Sequence, residues 1–562
     1  MASKSKGLTV KIVVIGAVAG GASAAARARR LNEDAEIVLI ERGPEPSFAN
    51  CGLPYYVGGE IESRKKLLVA PAERLRERYR LDVRTLQEVV AIDRDKKQVE
   101  VRDMNSQGDY FETYDKLIIS TGAAPFRPEI PGINSPKVLE LRDLNDADRM
   151  FEQVTSGKKQ RAVIVGAGFI GIEVAENLVR REIDVTVVEL GKQILPPWDE
   201  EMVRPLEDHM RSQGVSLKLQ DSAVAFVTED SSGGALQVQL KSGEFLEADF
   251  AVVCIGVRPE NKLALDAGLA CGQRGGIVTN EHMQTNDPDI YAVGDVAEVK
   301  DFVSAEAIQI PLAGPANRQG RIAADHVFGR DSRYRGTQGT AIVGVFGQAA
   351  AMTGHSEKLL AKAGQNYEKI YIHPSDHAGY YPGATQMTLK LLFDPDDGRI
   401  WGAQAVGTHG VDKRIDVIAM AMQAKLTVED LEEAELCYAP QFGSAKDPVN
   451  MAGFVAAGVV RQDHPVDHLA EICDPSSEDE HFLLDVRTEA EYERGHLPEA
   501  INIPIEQLRE RLGELPQSRK ILVYCQVGQR GYMATRILLQ KGFAVANLSG
   551  GYRLAQRAHL LR

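Results

Sequence analysis

Ala162-Val163-Ile164-Val165-Gly166-Ala167-Gly168-Phe169-Ile170-Gly171 is the stretch from which the fold can be read. Its apolar residues predict a buried parallel strand, and the G-x-G-x-x-G spacing predicts a tight turn into a helix. Val185-Thr186-Val187-Val188-Glu189 then predicts the second strand of a βαβ unit, closed by an acid. Gly166, Gly168 and Gly171 let the backbone approach a pyrophosphate at a helix N-terminus, and Glu189 is placed to take ribose hydroxyls. A carboxylate there bonds a free 2′-hydroxyl and repels a 2′-phosphate, so NADH is favoured, with NADPH left open.

A looser copy of this pattern stands near the start of the chain. Residues 10–15 form an apolar strand running into Gly16-Ala17-Val18-Ala19-Gly20-Gly21 and an alanine-rich helix. Glu36-Ile37-Val38-Leu39-Ile40-Glu41 follows, and its acid falls about 20 residues past the loop, where a carboxylate meets a ribose. Gly16, Ala19, Gly20, Glu41 and the adjoining Arg42 make a second candidate nucleotide site. Residues 114–123 predict a strand ending in small residues, Thr121 and Gly122 among them. Ile290-Tyr291-Ala292-Val293-Gly294-Asp295 ends in Asp295, placed to bond the ribityl chain of a flavin. One α/β nucleotide unit is thus inserted in another. Residues 9–122 and 286–332 are expected to bind FAD, and residues 123–285 to bind NAD(P)H.

The 562 residues suggest three or four domains with ample core. A net charge of -15 argues against a nucleic-acid partner. No apolar run reaches a membrane span, and the short polar start gives no sign of a signal peptide. Cys51, Cys254, Cys271, Cys437, Cys473 and Cys525 are scattered, with no C-x-x-C pair. Neither a metal site nor a disulfide framework is expected, and a reducing cytoplasm is the natural compartment.

Ser47-Phe48-Ala49-Asn50-Cys51-Gly52-Leu53-Pro54-Tyr55 puts Cys51 at a turn before a helix, where the dipole and free N–H groups favour a thiolate. Together with the two nucleotide units, this stretch resembles the FAD-dependent pyridine nucleotide–disulfide oxidoreductases over residues 9–455, and within them the coenzyme A–disulfide reductases. No second cysteine follows Cys51 within a few residues. Electrons would therefore be stored as a mixed disulfide, a persulfide or a sulfenic acid. The family uses the region matching residues 333–458, an α+β domain, for dimerisation. Segments 377–383 and 438–442 resemble those that present tyrosines to the partner's active site. The resemblance makes Tyr438 the group that stabilises or protonates a leaving thiolate across a homodimer, with Tyr380, favoured by the family spacing over Tyr381, as the second tyrosine. It also lays coenzyme A along the first helix, against Ser23, Arg27, Arg30, Ser47 and Asn50, with Lys446 reaching it from the partner chain.

Residues 459–478 are polar and rich in acids and prolines, and read as a linker. Residues 479–562 read as a further small α/β unit. Ile521-Leu522-Val523-Tyr524 predicts a buried parallel strand ending in Cys525-Gln526-Val527-Gly528-Gln529-Arg530 and a helix. A cysteine in such a loop can collect successive N–H groups at an anionic sulfur, and Arg530 adds positive charge. This unit resembles a rhodanese domain, whose cysteine carries a persulfide. The joint resemblance implies an NADH-dependent flavoprotein reducing coenzyme A persulfide, polysulfide or coenzyme A disulfide at Cys51, with the rhodanese domain delivering sulfane sulfur. The alternatives are an NADH oxidase or peroxidase cycling through a sulfenic acid, and a sulfur carrier or redox sensor.

Overall fold

The computed structural model describes residues 10–106, 108–156, 160–228, 235–469 and 481–557. Cys473, the acidic end of the expected linker from Asp474 and the first two residues of the last unit, Asp479 and Glu480, lie outside the described residues. Two compact units are present: Met1–Leu190 with Val215–Thr337, and Gly191–Gly214 with Gln338–Arg562.

Two five-stranded parallel sheets dominate the first unit. One runs Asp82–Thr85, Glu36–Glu41, Lys11–Ile15, Lys116–Ile119, Ile290–Ala292. The other runs Ser216–Leu219, Asp184–Glu189, Arg161–Val165, Phe250–Val253, Val138–Leu139. Their apolar runs are continuous rather than alternating because both faces are covered, and Val13, Val14, Leu39 and Ile164 are wholly buried. In both sheets the strand before the glycine loop is central, and the order of addition reverses there. Such a switch point leaves a crevice at the carboxyl ends of the strands. Ala123–Pro125 pairs antiparallel with Val257–Pro259.

In the second unit, a five-stranded antiparallel sheet runs Ala341–Val345, Gln348–Gly354, Ile400–Gly407, Thr388–Phe393, Glu368–Ile372. The helix Glu200–Ser212 belongs to this unit, although its sequence lies inside the stretch 123–285 expected to form the NAD(P)H-binding unit. Burial of Lys390 supplies the reason. Its ammonium lies 2.8 Å from Asp199, 2.6 Å from Glu201 and 2.6 Å from Glu357. This trio is a carboxylate cluster of metal-binding size among the described residues, and Lys390 fills it. An all-parallel sheet completes the unit, in the order Val466–Asp467, Val545–Leu548, Lys520–Tyr524, His481–Asp485, Ile501–Asn502. Val466–Asp467 falls within the stretch read as a linker, yet it is hydrogen-bonded into this sheet through Asn547 and Leu548.

Candidate active sites

The two glycine loops are built alike. Gly16 N–H donates to Ile40 O at 2.8 Å, and Gly166 N–H donates to Val188 O at 2.8 Å. Both glycines sit at positive φ, +91° and +106°. A Cβ at Gly16 would fall 2.2 Å from Ser120 O, and one at Gly166 2.4 Å from Cys254 O. A Cβ at Gly21 or Gly171 would fall 1.9 or 2.0 Å from the carbonyl of its own loop's first glycine, so both helices start hard against their loops. Gly21 is therefore the counterpart of Gly171. Ala19 opens the first helix, and Gly20 packs against Ser120 and Val293. A Cβ at Gly168 would meet nothing within 4 Å, which leaves room for a ligand to approach the backbone. Neither the helix Ala19–Leu31 nor Phe169–Arg180 has a side-chain cap or an acid in its first turn. Such uncapped, acid-free helix ends suit the pyrophosphates of FAD and NAD(P)H.

At the strand ends, Ala17 N–H donates to Glu41 Oε2 and Ala167 N–H to Glu189 Oε2, each at 2.8 Å. Each acid is thereby aimed at its own loop. Burial pushes the Glu41 carboxyl up, opposed by N–H bonds from Gly43 and Ala17. Arg42 and Arg142 share Glu260, at 2.9 and 2.8 Å. Thr121 Oγ1 donates to Glu260 O, and Glu260 N–H donates to Gly122 O. Gly294, at φ +78°, donates its N–H to Gln319 Oε1 at 2.7 Å. Burial pushes the adjacent Asp295 carboxyl up to about 6. Glu260 and Gln319 lie far along the chain from the residues they hold, and no local pattern marks them.

Cys51 lies in a single 3-10 turn, Asn50–Gly52, leading into the short helix Leu53–Gly58, and the residue is exposed. Ser47, at φ +50°, donates its N–H to Ala17 O at 2.8 Å and so fastens this segment to the first glycine loop. The surroundings of the thiol differ from the expectation of a helix-stabilised thiolate. Desolvation first, then the carboxylates Glu173 and Asp295, push the Cys51 thiol up. A helix of 6 residues offers little dipole against two acids. Glu173, on the helix after the second glycine loop, accepts from Tyr55 OH at 3.1 Å, and burial raises its own carboxyl. Sequence reading missed Glu173, because nothing local ties it to Cys51.

Among the residues assigned to coenzyme A, Ser23 Oγ donates to Asn317 Oδ1. Arg27 is committed to Asp325, at 2.7 Å. Arg30 and Asn50 are exposed, and Asn50 Nδ2 donates to Arg142 O at 3.4 Å. Arg29, part of the same basic run, is buried instead and donates to the carbonyls of Tyr79, Arg80, Asn32, Glu33 and Ala35. In the second unit the Tyr380 and Tyr438 hydroxyls are 2.9 Å apart. At 76% and 49% exposure, neither ring is core packing. The hydrogen bond to Tyr438 raises the Tyr380 phenol above its ordinary value, so it stays neutral. Lys446 is exposed.

Cys525 closes the strand Lys520–Tyr524 and is buried. Gly528, at φ +102°, turns its N–H onto Cys525 Sγ at 3.2 Å. The helix Gln529–Leu539 begins there, uncapped by any side chain and without an acid in its first turn. The positive charge of Arg530 is paired. Its guanidinium forks onto both oxygens of Glu491 at 2.7 Å. That pair holds the Glu491 carboxyl down at about 2. Arg530 still feels Cys525, which helps to raise it. Arg487 is buried on Asp485 and donates to Gln526 Oε1, bracing the other side of the loop.

A fold with two glycine-loop units, an antiparallel sheet domain and a cysteine-loop domain defines a class, and the comparisons agree. Residues 10–320 match the pyridine nucleotide-disulphide oxidoreductase model, residues 340–448 its dimerisation domain, and residues 468–558 a rhodanese-like domain. The chain belongs to the pyridine nucleotide-disulphide oxidoreductases. It is 35% identical over 448 residues to the coenzyme A disulfide reductase of Staphylococcus haemolyticus, covering 79% of this chain and 99% of that one. Its structure is similar to reduced Bacillus anthracis CoADR-RHD, with TM-score 0.95, 46% identity, and 98% and 99% of the two chains covered. It is also similar to an NAD-dependent persulfide reductase from A. fulgidus, with TM-score 0.89, 36% identity, and 97% and 99% covered.

Proposed function

We propose that this protein is an NADH-dependent flavoenzyme that reduces coenzyme A persulfide and coenzyme A disulfide at Cys51, with a rhodanese domain that holds sulfane sulfur on Cys525. The observation that carries this reading is one chain holding two different cysteine sites. Cys51 is exposed and has no resolving cysteine beside it, whereas Cys525 is buried in a loop that turns an N–H onto its sulfur. The coenzyme A disulfide named for one relative and the persulfide named for another support the two halves of the reading.

As a thiolate, Cys51 attacks the coenzyme A-bearing sulfur of the persulfide. The Cys51–S–S–CoA bond forms, the original S–S bond breaks, and hydrosulfide leaves with the bonding pair. FAD and NADH, when bound, supply the two electrons that split this mixed disulfide into two thiolates. The uncapped helix ends at Ala19 and Phe169 hold the two pyrophosphates, and Glu41 and Glu189 meet the riboses. Tyr438, held by Tyr380, donates a hydrogen bond to the leaving coenzyme A thiolate without adding charge, acting across a homodimer. Ser23, Arg27, Arg30, Ser47, Asn50 and the partner's Lys446 bind the coenzyme A, Arg27 by exchanging Asp325 for phosphate. A persulfide on Cys525 gives its outer sulfur to a coenzyme A thiolate, returning the Cys525 thiolate and forming the persulfide that Cys51 reduces. Among the described residues no helix is long and apolar enough to cross a membrane; the reading places this chemistry in the cytoplasm.

Anaerobic NADH oxidation tests the proposal, with coenzyme A disulfide, coenzyme A persulfide and inorganic polysulfide compared and sulfide followed in the same tubes. Fast oxidation on the persulfide with stoichiometric sulfide is expected. NADH consumption seen only when air is admitted would replace this reading with an oxidase.

A further inference from the structure

Gly528, whose N–H meets Cys525, is itself held through its own carbonyl, in the peptide that follows. Asn547 Nδ2 donates to Gly528 O at 3.2 Å and lies 2.9 Å from His464 Nε2. Asn547 N–H donates to Pro465 O at 2.9 Å, so the segment leading into the domain is pinned to the same residue. An amide has two N–H donors, and this geometry uses one on the Gly528 carbonyl and the other on the imidazole. The imidazole must then present a bare Nε2. Burial first, then Arg536, lower His464 to about 4, so it is neutral throughout the working range. Gly531 completes the seat, since a Cβ there would lie 2.2 Å from Asn547 Oδ1. Asn547 and His464 are 3% and 4% exposed, so neither is a surface contact.

We propose that Asn547, oriented by His464, is a positioning residue for sulfur transfer: by holding the Gly528 carbonyl it fixes the backbone conformation of Gly528, whose N–H points at the sulfur of Cys525. The Gly528 carbonyl belongs to the Gly528–Gln529 peptide and the Gly528 N–H to the Val527–Gly528 peptide, so the grip acts through Gly528 itself. Holding the carbonyl on one side of its Cα restrains the positive-φ backbone (+102°) that turns the N–H on the other side onto the sulfur. The arrangement makes the entry segment at His464, which reads as linker, part of the sulfur site. This inference rests on the rhodanese part of the proposed function.

The test uses the full-length protein, with Cys525 alkylation by iodoacetamide followed by peptide mass across pH. No sulfur donor is needed, so failure of the inference and failure of the proposed function are separable. Because the thiol is buried, the midpoint of the profile is read, not the absolute rate. Asn547→Ala and His464→Leu are expected to raise the midpoint by about one unit, or about tenfold less thiolate below it. His464→Gln, which keeps an acceptor at the same reach, should stay near wild type. Sulfur transfer from a persulfide donor should fall in the same order, while coenzyme A disulfide reduction at Cys51 stays constant and an unchanged thermal unfolding profile of each variant reports folding of the Cys525 domain. A wild-type midpoint in both defective variants would overturn the inference. So would equal defects in His464→Gln and His464→Leu. If Asn547→Ala misfolds, Asn547→Ser carries the same comparison.

Discussion

Cys51 stands on one exposed turn of 3-10 helix, and the charges acting on it are the carboxylates Glu173 and Asp295, which oppose ionisation. Cys525 is buried at the end of a parallel strand, receives the Gly528 N–H, and lies within the field of Arg530. A thiol that must meet a bulky disulfide and then be released by two electrons gains from access and from not being over-stabilised as an anion. One that must hold a labile sulfur gains from enclosure and fixed donors. On the proposed function, the contrast is between a site for electrons and a site for sulfur. It predicts that each can be damaged without the other.

The largest effects come from the sulfurs themselves. Cys51→Ser should abolish NADH oxidation on coenzyme A disulfide and persulfide alike, by about a thousandfold or more. Cys525→Ser should leave the disulfide reaction intact and remove sulfur transfer. Equal loss of both activities in either variant would break the comparison. Next is dinucleotide choice, a property of the Cys51 half alone. Glu189→Arg should shift the NADPH/NADH ratio of kcat/KM by about a hundredfold without altering sulfur transfer. Arg530→Gln should slow sulfur transfer about tenfold, since Glu491 then faces the loop unpaired, while NADH oxidation on coenzyme A disulfide holds.

The smallest effect sharpens the Cys51 side. Glu173 disfavours the thiolate, so Glu173→Gln should lower the pH midpoint of Cys51 alkylation and raise its rate at neutral pH about threefold. Burial, the first cause of the upward shift, remains, so the midpoint should not fall below that of an ordinary cysteine. An upward midpoint would contradict the electrostatic picture.

The two nucleotide units and the Cys525 loop were legible because each is written in one local run: apolar strand, small-residue turn, helix. What was not legible is what reaches those runs from elsewhere. Glu491 is 39 residues from Arg530, and Glu260 is 218 from Arg42. Arg29 and Arg27 look equivalent on the first helix, yet one is buried among carbonyls and the other faces Asp325. Only packing separates them. His464 and Val466 read as linker because proline and polar neighbours hid a short strand that pairs with distant Asn547.

The most direct test of the central claim is the mass of Cys51 itself. The protein is exposed anaerobically to coenzyme A persulfide without NADH, digested, and its cysteine peptides weighed, before and after NADH is added. The account predicts a coenzyme A mixed disulfide on Cys51 with one hydrosulfide released, cleared when NADH arrives. An unmodified Cys51 beside turning-over enzyme, or the adduct on Cys525 alone, would contradict it.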